Sequence, residues 1–183
     1  METSWIYSAL NVPGRWFADK IGTHPINYFQ VTNAIFIIIT CFIILFYFPL
    51  SLLESVISSL IFIFSSVFWY LGWIHTEVLT VCLVALGFGF YFNKKHFLGF
   101  FLVAIASTQN QPLIIMLLFM GIGIILAHHF KFNVFIKLFL LFIPALLPSL
   151  FYYVHFGVFN LINHSGFLSS DYITFKDRKS TRL

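Results

Sequence analysis

Two carboxylates beside apolar segments of this sequence could act as a general base. Glu77 directly precedes a long apolar run, and Asp19 lies in a mixed segment near the N-terminus. A carboxylate at such an edge can accept a proton from a hydroxyl group. His75 could join Glu77 if it lies in a loop. The alternative for Glu77 is structural, because an acidic residue in the first turn of a helix is stabilised by the helix dipole.

Near Asp19 lie two cations, Arg15 and Lys20. They are candidates for binding an anionic group. Trp16 and Lys20 are four residues apart, and this spacing predicts a short helix lying along a membrane interface. Cations on such a helix could bind a phosphate or a lipid headgroup. Alternatively, Arg15 and Asp19 pair with each other, since they are also four residues apart.

Three consecutive amides, Gln109, Asn110 and Gln111, precede Pro112 between two apolar runs. Neutral amides both donate and accept hydrogen bonds. We therefore expect them to bind a sugar or another polar headgroup. The alternative is that they satisfy backbone groups at the ends of the flanking helices.

The composition identifies the environment in which these residues act. The chain of 183 residues is 60% hydrophobic and 9% charged, and its mean hydropathy is +0.96. A soluble domain contains roughly 25% charged residues. The composition therefore excludes a water-soluble globule and makes the lipid bilayer the first expected partner.

The charge pattern excludes other partners. The net charge is +4, but the basic residues are scattered and no recognition motif accompanies them, so nucleic acid is not expected.

Cys41 and Cys82 lie inside apolar runs and are expected to be buried thiols. No motif indicates a cofactor or a metal site, and the sequence leaves open whether a divalent metal is used.

Four segments have the apolar character of full membrane spans: 27–48, 55–71, 76–92 and 134–156. A helix needs about 20 mostly apolar residues to cross the hydrocarbon core. The sequence therefore predicts an all-α fold, a polytopic transmembrane helical bundle with about four full spans and the interfacial helix at its N-terminus.

The apolar segment 97–127 is too long for one crossing. As a single helix it would measure about 46 Å, against a hydrocarbon core of about 30 Å. Pro112 suits the first turn of a new helix. We therefore predict a hairpin of two short helices, 97–108 and 112–127. Its polar tip would lie below the membrane surface, where unpaired backbone is tolerated only against protein or a water-filled cavity.

The basic turns set the predicted orientation. Lys94–Lys95 and Lys131 should be cytoplasmic, which places residues 1–26, 73–77, 109–111 and 157–176 on the outer side. We expect a multi-pass protein of a prokaryotic inner membrane. It comprises an outer or interfacial segment (1–26), one helical domain (27–156) and an outer-face segment (157–176).

The last seven residues, 177–183, differ in character from the rest of the chain. They carry four of its sixteen charged residues. Their sequence, Asp-Arg-Lys-Ser-Thr-Arg-Leu, resembles a translated sequencing-adapter oligonucleotide. We therefore expect a non-native tail, with the natural protein continuing beyond Lys176. The alternative is a genuine basic tail.

Residues 12–126 resemble the N-terminal half of the GT-C superfamily of polytopic membrane glycosyltransferases. The resemblance rests on Pro13-Gly14-Arg15 before a span, on the acidic outer loop His75-Thr76-Glu77, on the basic turn Lys94-Lys95 and on the polar-Pro step of the hairpin, 104–112. It implies transfer of a sugar from a polyprenyl-phosphate donor on the outer face. An acidic residue, Glu77 or Asp19, would then be the catalytic base, and Arg15 and Lys20 would bind the donor phosphate.

Two other functions fit the same features. In a transporter or a lipid-translocating protein, the hairpin tip and the proline-containing last helix would line a passage. A structural membrane protein would use the polar residues for helix packing alone.

Overall fold

The computed structural model describes residues 25–70 and 77–156, together with Val12, Arg15, Trp16, Lys20 and Gly22. The regular structure in this part of the chain is entirely α-helical, as predicted. Its helices are α1 (Pro25–Phe46), α2 (Leu52–Ile63), α3 (Ser66–Tyr70), α4 (Glu77–Phe92), α5 (His96–Ser107), α6 (Leu113–Ala127) and α7 (Phe132–Phe156).

Two of these helices are long and apolar enough to cross a membrane. They contain the stretches Tyr28–Phe46 in α1 and Phe132–Phe151 in α7, of 19 and 20 residues, each with a hydropathy of 2.3. Helices α2 and α4 have 12 and 16 residues. Helix length therefore supports two of the four predicted spans.

The predicted span 55–71 is divided at Ser65. Its hydroxyl donates to the Phe62 carbonyl at 2.6 Å, and the Val67 backbone N–H is 3.4 Å from the same hydroxyl oxygen. A serine that bonds to nearby backbone groups competes with the regular helical ladder. Helix α2 therefore ends before Ser65, and α3 begins after it.

Residues 97–127 form two helices, α5 and α6, as predicted. The Thr108 hydroxyl donates to the Ile105 carbonyl at 2.6 Å at the end of α5. In the turn that follows, the Leu113 N–H donates to the Asn110 carbonyl at 3.0 Å. Pro112 stands at the N-cap of α6, one position before the predicted first turn. The two helices pack against each other, and α7 packs against both.

The most extensive helix contact joins α4 and α5, where Gly87 faces Gly99. A Cβ atom on Gly99 would press on the Gly87 carbonyl oxygen and lie 2.7 Å from the Tyr91 backbone nitrogen. A Cβ on Gly87 would lie 2.6 Å from Val103 Cγ2. Small residues allow such backbone approach between membrane helices. The two glycines therefore fix where the antiparallel helices α4 and α5 cross.

Helix α1 runs parallel to α4 and packs along it. The Phe48 ring covers Gly89 and contacts Phe90 edge-on, with ring centroids 5.3 Å apart. Nearer the start of both helices, the side chains of Thr40 and Cys82 are hydrogen-bonded. Cys82 is buried, as expected, whereas Cys41 is only half-buried, and both are free thiols.

The turns after α4 and α6 each contain a residue with a left-handed backbone conformation. After α4, Lys94 has φ 63°, its N–H bonds to the Tyr91 carbonyl, and the Lys95 N–H bonds to the Phe90 carbonyl. His129 plays the same part after α6. This is the Schellman arrangement, which usually places glycine at the left-handed position. Here that position carries a basic side chain instead.

Helix α2 begins with a capping box. The Ser51 hydroxyl and backbone N–H each donate to Glu54 Oε2 at 2.8 Å, and these bonds hold the pKa of the Glu54 carboxyl below its ordinary value. Glu54 is therefore ionised at neutral pH and occupied by its own helix end.

We predict that Gly99→Ala destabilises the protein because the added methyl group separates α4 from α5. Overpacking of this kind costs about 1–3 kcal/mol. Gly121→Ala is the matched control, since its Cβ would meet only the Phe100 ring at 3.5 Å. Thermal unfolding in detergent should show a lower midpoint for Gly99→Ala alone. Equal midpoints for the two variants would contradict the close crossing.

Candidate functional site

The crossing of α4 and α5 brings Glu77 and Gln109 to the same level. Glu77 lies ten residues before Gly87, and Gln109 lies ten residues after Gly99 in the antiparallel chain. At 1.5 Å per residue, each is about 15 Å from the crossing and in the same direction. The first residue of α4 and the tip of the hairpin therefore share one end of the bundle.

Two more helices contribute buried polar side chains at this end. Lys137 of α7 lies over the Phe97 ring of α5. Ser149 follows Lys137 by twelve residues, and Gln109 follows Phe97 by the same number. Ser149 and Gln109 therefore lie at a similar height in the bundle. In α1, Asn33 lies seven residues before Thr40, in the direction of the bundle end that contains Glu77. Asn33 and Ser149 are buried, with 0% and 1% of their surfaces exposed.

We call this assembly the polar end. Its members are polar residues near the start of α1 and α4, in and around the hairpin tip, and in the second half of α7. They are Asn33, Glu77, Thr80, Ser107, Thr108, Gln109, Asn110, Gln111 and Ser149. Six of them are buried: Asn33, Thr80, Ser107, Thr108, Gln111 and Ser149.

Gln109 has a buried acceptor that nothing in the described chain uses. Its Nε2 donates to the Thr108 hydroxyl oxygen at 3.2 Å. Its Oε1 is buried and accepts no hydrogen bond from the described residues. The neighbouring hydroxyl of Ser107 is satisfied instead by the Ala104 carbonyl at 2.7 Å. Gln109 Oε1 is therefore the acceptor at this end that suits a ligand donor.

Glu77 is the carboxylate that the described residues contribute to the polar end. It is the first residue of α4 and is half-buried. This position leaves part of the side chain accessible. A carboxylate beside neutral amides and hydroxyls can accept a proton from a bound hydroxyl group.

Four other site residues are predicted from the sequence. Asp19 and His75 lie outside the described residues. Arg15 and Lys20 are exposed and helical, and Lys20 Nζ lies 3.8 Å from the centroid of the Trp16 ring. That contact fits the predicted helical spacing. The described contacts do not join Arg15 or Lys20 to the polar end.

The sequence-based interpretation missed Asn33, Thr80, Ser107 and Ser149. Each is a single polar residue in an apolar helix, which by itself predicts nothing about a site. A usable signal exists in α1, where Asn33 and Thr40 are seven residues apart and so share a helix face. Both are buried.

The opposite end of the bundle is basic. Lys95 Nζ hydrogen-bonds the Tyr47 hydroxyl and lies 4.5 Å from the centroid of its ring. The turns after α4 and α6 and the start of α7 all lie here. This basic end contains the four cations of residues 25–156, Lys94, Lys95, Lys131 and Lys137, with His96, His128 and His129.

The described residues contain no group of three or more metal-ligating side chains. The polar end instead offers one carboxylate and several neutral hydrogen-bonding groups. This combination suits an uncharged ligand that is rich in hydroxyl groups.

Neither protein-family models, nor curated proteins, nor solved structures match this chain.

We predict that Gln109→Met raises the stability of the protein in detergent. The variant removes a buried acceptor that lacks a donor, and such a group costs about 1–3 kcal/mol. Asn93→Leu is the control, because Asn93 Nδ2 donates to the Gly89 carbonyl at 2.8 Å and its loss should lower stability. Thermal unfolding midpoints measure both. A lower midpoint for Gln109→Met would show that this amide is structural.

Proposed function

We propose that the chain is a multi-pass membrane protein in which α1, α2 with α3, α4 and α7 cross the bilayer. The supporting observation is the surface of the bundle. Only 17% and 28% of the apolar stretches in α1 and α7 are buried. The short helices α2 and α6 also expose large apolar side chains, including Leu52 at 79% and Phe119 at 71%. Water would penalise such a surface, whereas lipid suits it.

The two ends of the bundle supply the proposed orientation. Lysine and arginine are concentrated in cytoplasmic loops of membrane proteins. The basic end then faces the cytoplasm, and the polar end faces the outer side of a prokaryotic inner membrane. Glu54 lies at the cytoplasmic edge of the second span, where its capping box holds it.

We further propose that the protein transfers a sugar from a polyprenyl-phosphate donor, as a GT-C-like glycosyltransferase. The observation that carries this proposal is the placement of Glu77 at the level of Gln109. A sugar presents many hydroxyl groups, and neutral amides bind them without the cost of burying a charge. A single carboxylate nearby suits removal of one proton.

In the proposed reaction, the sugar moves from the donor phosphate to the hydroxyl group of an acceptor. An acceptor hydroxyl oxygen forms a bond to the anomeric carbon of the sugar as the bond from that carbon to the donor phosphate oxygen breaks. Glu77 takes the hydroxyl proton, and the polyprenyl phosphate leaves with the bonding electron pair. In this scheme Gln109 Oε1 accepts from a sugar hydroxyl. Arg15 and Lys20 stabilise the charge on the leaving phosphate.

We predict that Glu77→Gln lowers sugar transfer by about 10² to 10⁴-fold, which is the usual loss when a general base is removed. Glutamine preserves the shape of the side chain but is a poor proton acceptor. Transfer of labelled sugar from a polyprenyl-phosphate donor is measured in membranes that contain the protein from its complete reading frame. Expression levels are matched between variants.

Glu54→Gln is the control, because it removes the carboxylate at the opposite end of the bundle. Transfer should stay within about twofold, since surface changes far from a site have small effects. Full activity of Glu77→Gln would contradict its role as the base, and Asp19→Asn would then test the second carboxylate. If the unaltered protein transfers no sugar from such donors, transport becomes the better explanation of the polar end.

A further inference from the structure

Basic side chains from three parts of the chain meet around Phe97 at the basic end. Lys137 Nζ lies 5.5 Å from the centroid of the Phe97 ring. The His128 ring stacks on Phe97, with centroids 5.6 Å apart and an angle of 27°. The His96 ring meets His128 edge-on at 6.3 Å. We call these four residues the Phe97 cluster.

Lys137 is an exposed cation of α7 for which the described residues supply no carboxylate partner. It is the sixth residue of α7 and so lies about 7.5 Å beyond the first. A cation at that depth in a membrane helix is expensive unless it is paired. The described residues contain two carboxylates. Glu54 bonds to Ser51, and Glu77 lies at the opposite end.

Backbone and imidazole groups beside Lys137 also favour an anion. Helices α5 and α7 both begin at the basic end, and neither has an acidic residue in its first turn. The N-cap of α5 makes no side-chain hydrogen bond, in contrast to the capping box of α2. His96 Nδ1 is buried and has no hydrogen bond within the described chain. Helix N-termini attract anions through their free N–H groups.

We propose that the Phe97 cluster binds the phosphate of an acidic phospholipid of the cytoplasmic leaflet. The surface beside Lys137 argues for a lipid, because Leu140 lies three residues further along the same face of α7 and is 56% exposed. An acyl chain would pack there. This site requires the proposed membrane orientation but not the sugar-transfer chemistry, so the two proposals fail separately.

The test compares lipid binding to the purified protein in detergent by native mass spectrometry. The probes are phosphatidylglycerol and phosphatidylcholine with identical acyl chains. We expect phosphatidylglycerol to be preferred, and we expect Lys137→Gln and His128→Gln each to weaken that preference. Loss of the direct contact between Lys137 and the phosphate should weaken it about tenfold, since a hydrogen bond between two charged groups is stronger than a neutral one. Lys137→Arg should retain the preference.

Lys131→Gln is the matched control, because Lys131 and Lys137 are both exposed at the basic end and carry the same charge, but no described contact joins Lys131 to the Phe97 cluster. It should change the preference by less than about twofold, because solvent screens a charge that does not contact the phosphate. Equal losses for Lys131→Gln and Lys137→Gln would overturn the proposal in favour of diffuse surface charge. Displacement of the lipid by an equal concentration of inorganic phosphate would overturn it in favour of a free anion.

Discussion

The close contact between Gly87 and Gly99 is the constraint on which the remaining arrangement depends. It lets two apolar helices approach until backbone atoms touch, which sets their relative height. Because Glu77 and Gln109 each lie ten residues, or about 15 Å, from this point, the start of α4 and the hairpin tip come to one level. The same crossing leaves Lys94, Lys95 and His96 together at the other end. A slip of one turn along either helix would separate the carboxylate from the amides.

The two ends also differ in how their polar groups are satisfied. Near the hairpin tip, the hydroxyls of Ser107 and Thr108 bond to their own helix, while Gln109 keeps a buried acceptor. At the basic end, aromatic rings support cations: Tyr47 under Lys95 and Phe97 under Lys137. Rings can stabilise a cation in a medium where water is scarce. One end therefore suits neutral hydroxyl-rich ligands, and the other suits anions.

The helical class, the break before Pro112 and the two longest apolar helices were predictable from the sequence, because each follows from local chain properties. The interruption at Ser65 was not, since a serine in an apolar run gives no sign that it will bond to Phe62 and Val67. Apart from the break at Ser65, helix starts and ends differ from prediction by up to three residues, and the largest difference is the start of α2, which Ser51 caps. Its capping box, Ser51 with Glu54, is a recognisable sequence pattern.

The candidate site was predictable in part. Glu77 and the three amides stood out because they interrupt apolar runs. Asn33 and Ser149 became recognisable only when packing brought α1 and α7 beside the hairpin, because their burial depends on contacts between distant segments. The Phe97 cluster has the same origin: His96, His128 and Lys137 are far apart in sequence and converge on one ring.

The most direct test of this account is the side of the membrane from which each end is accessible. Single cysteines replace Lys131 and Asn110 in a background of Cys41→Ala and Cys82→Ala, and intact cells are treated with a membrane-impermeant maleimide before and after permeabilisation. We expect Asn110→Cys to react in intact cells and Lys131→Cys to react only after permeabilisation. Reaction of both positions from the same side would contradict the assignment of the polar and basic ends to opposite faces.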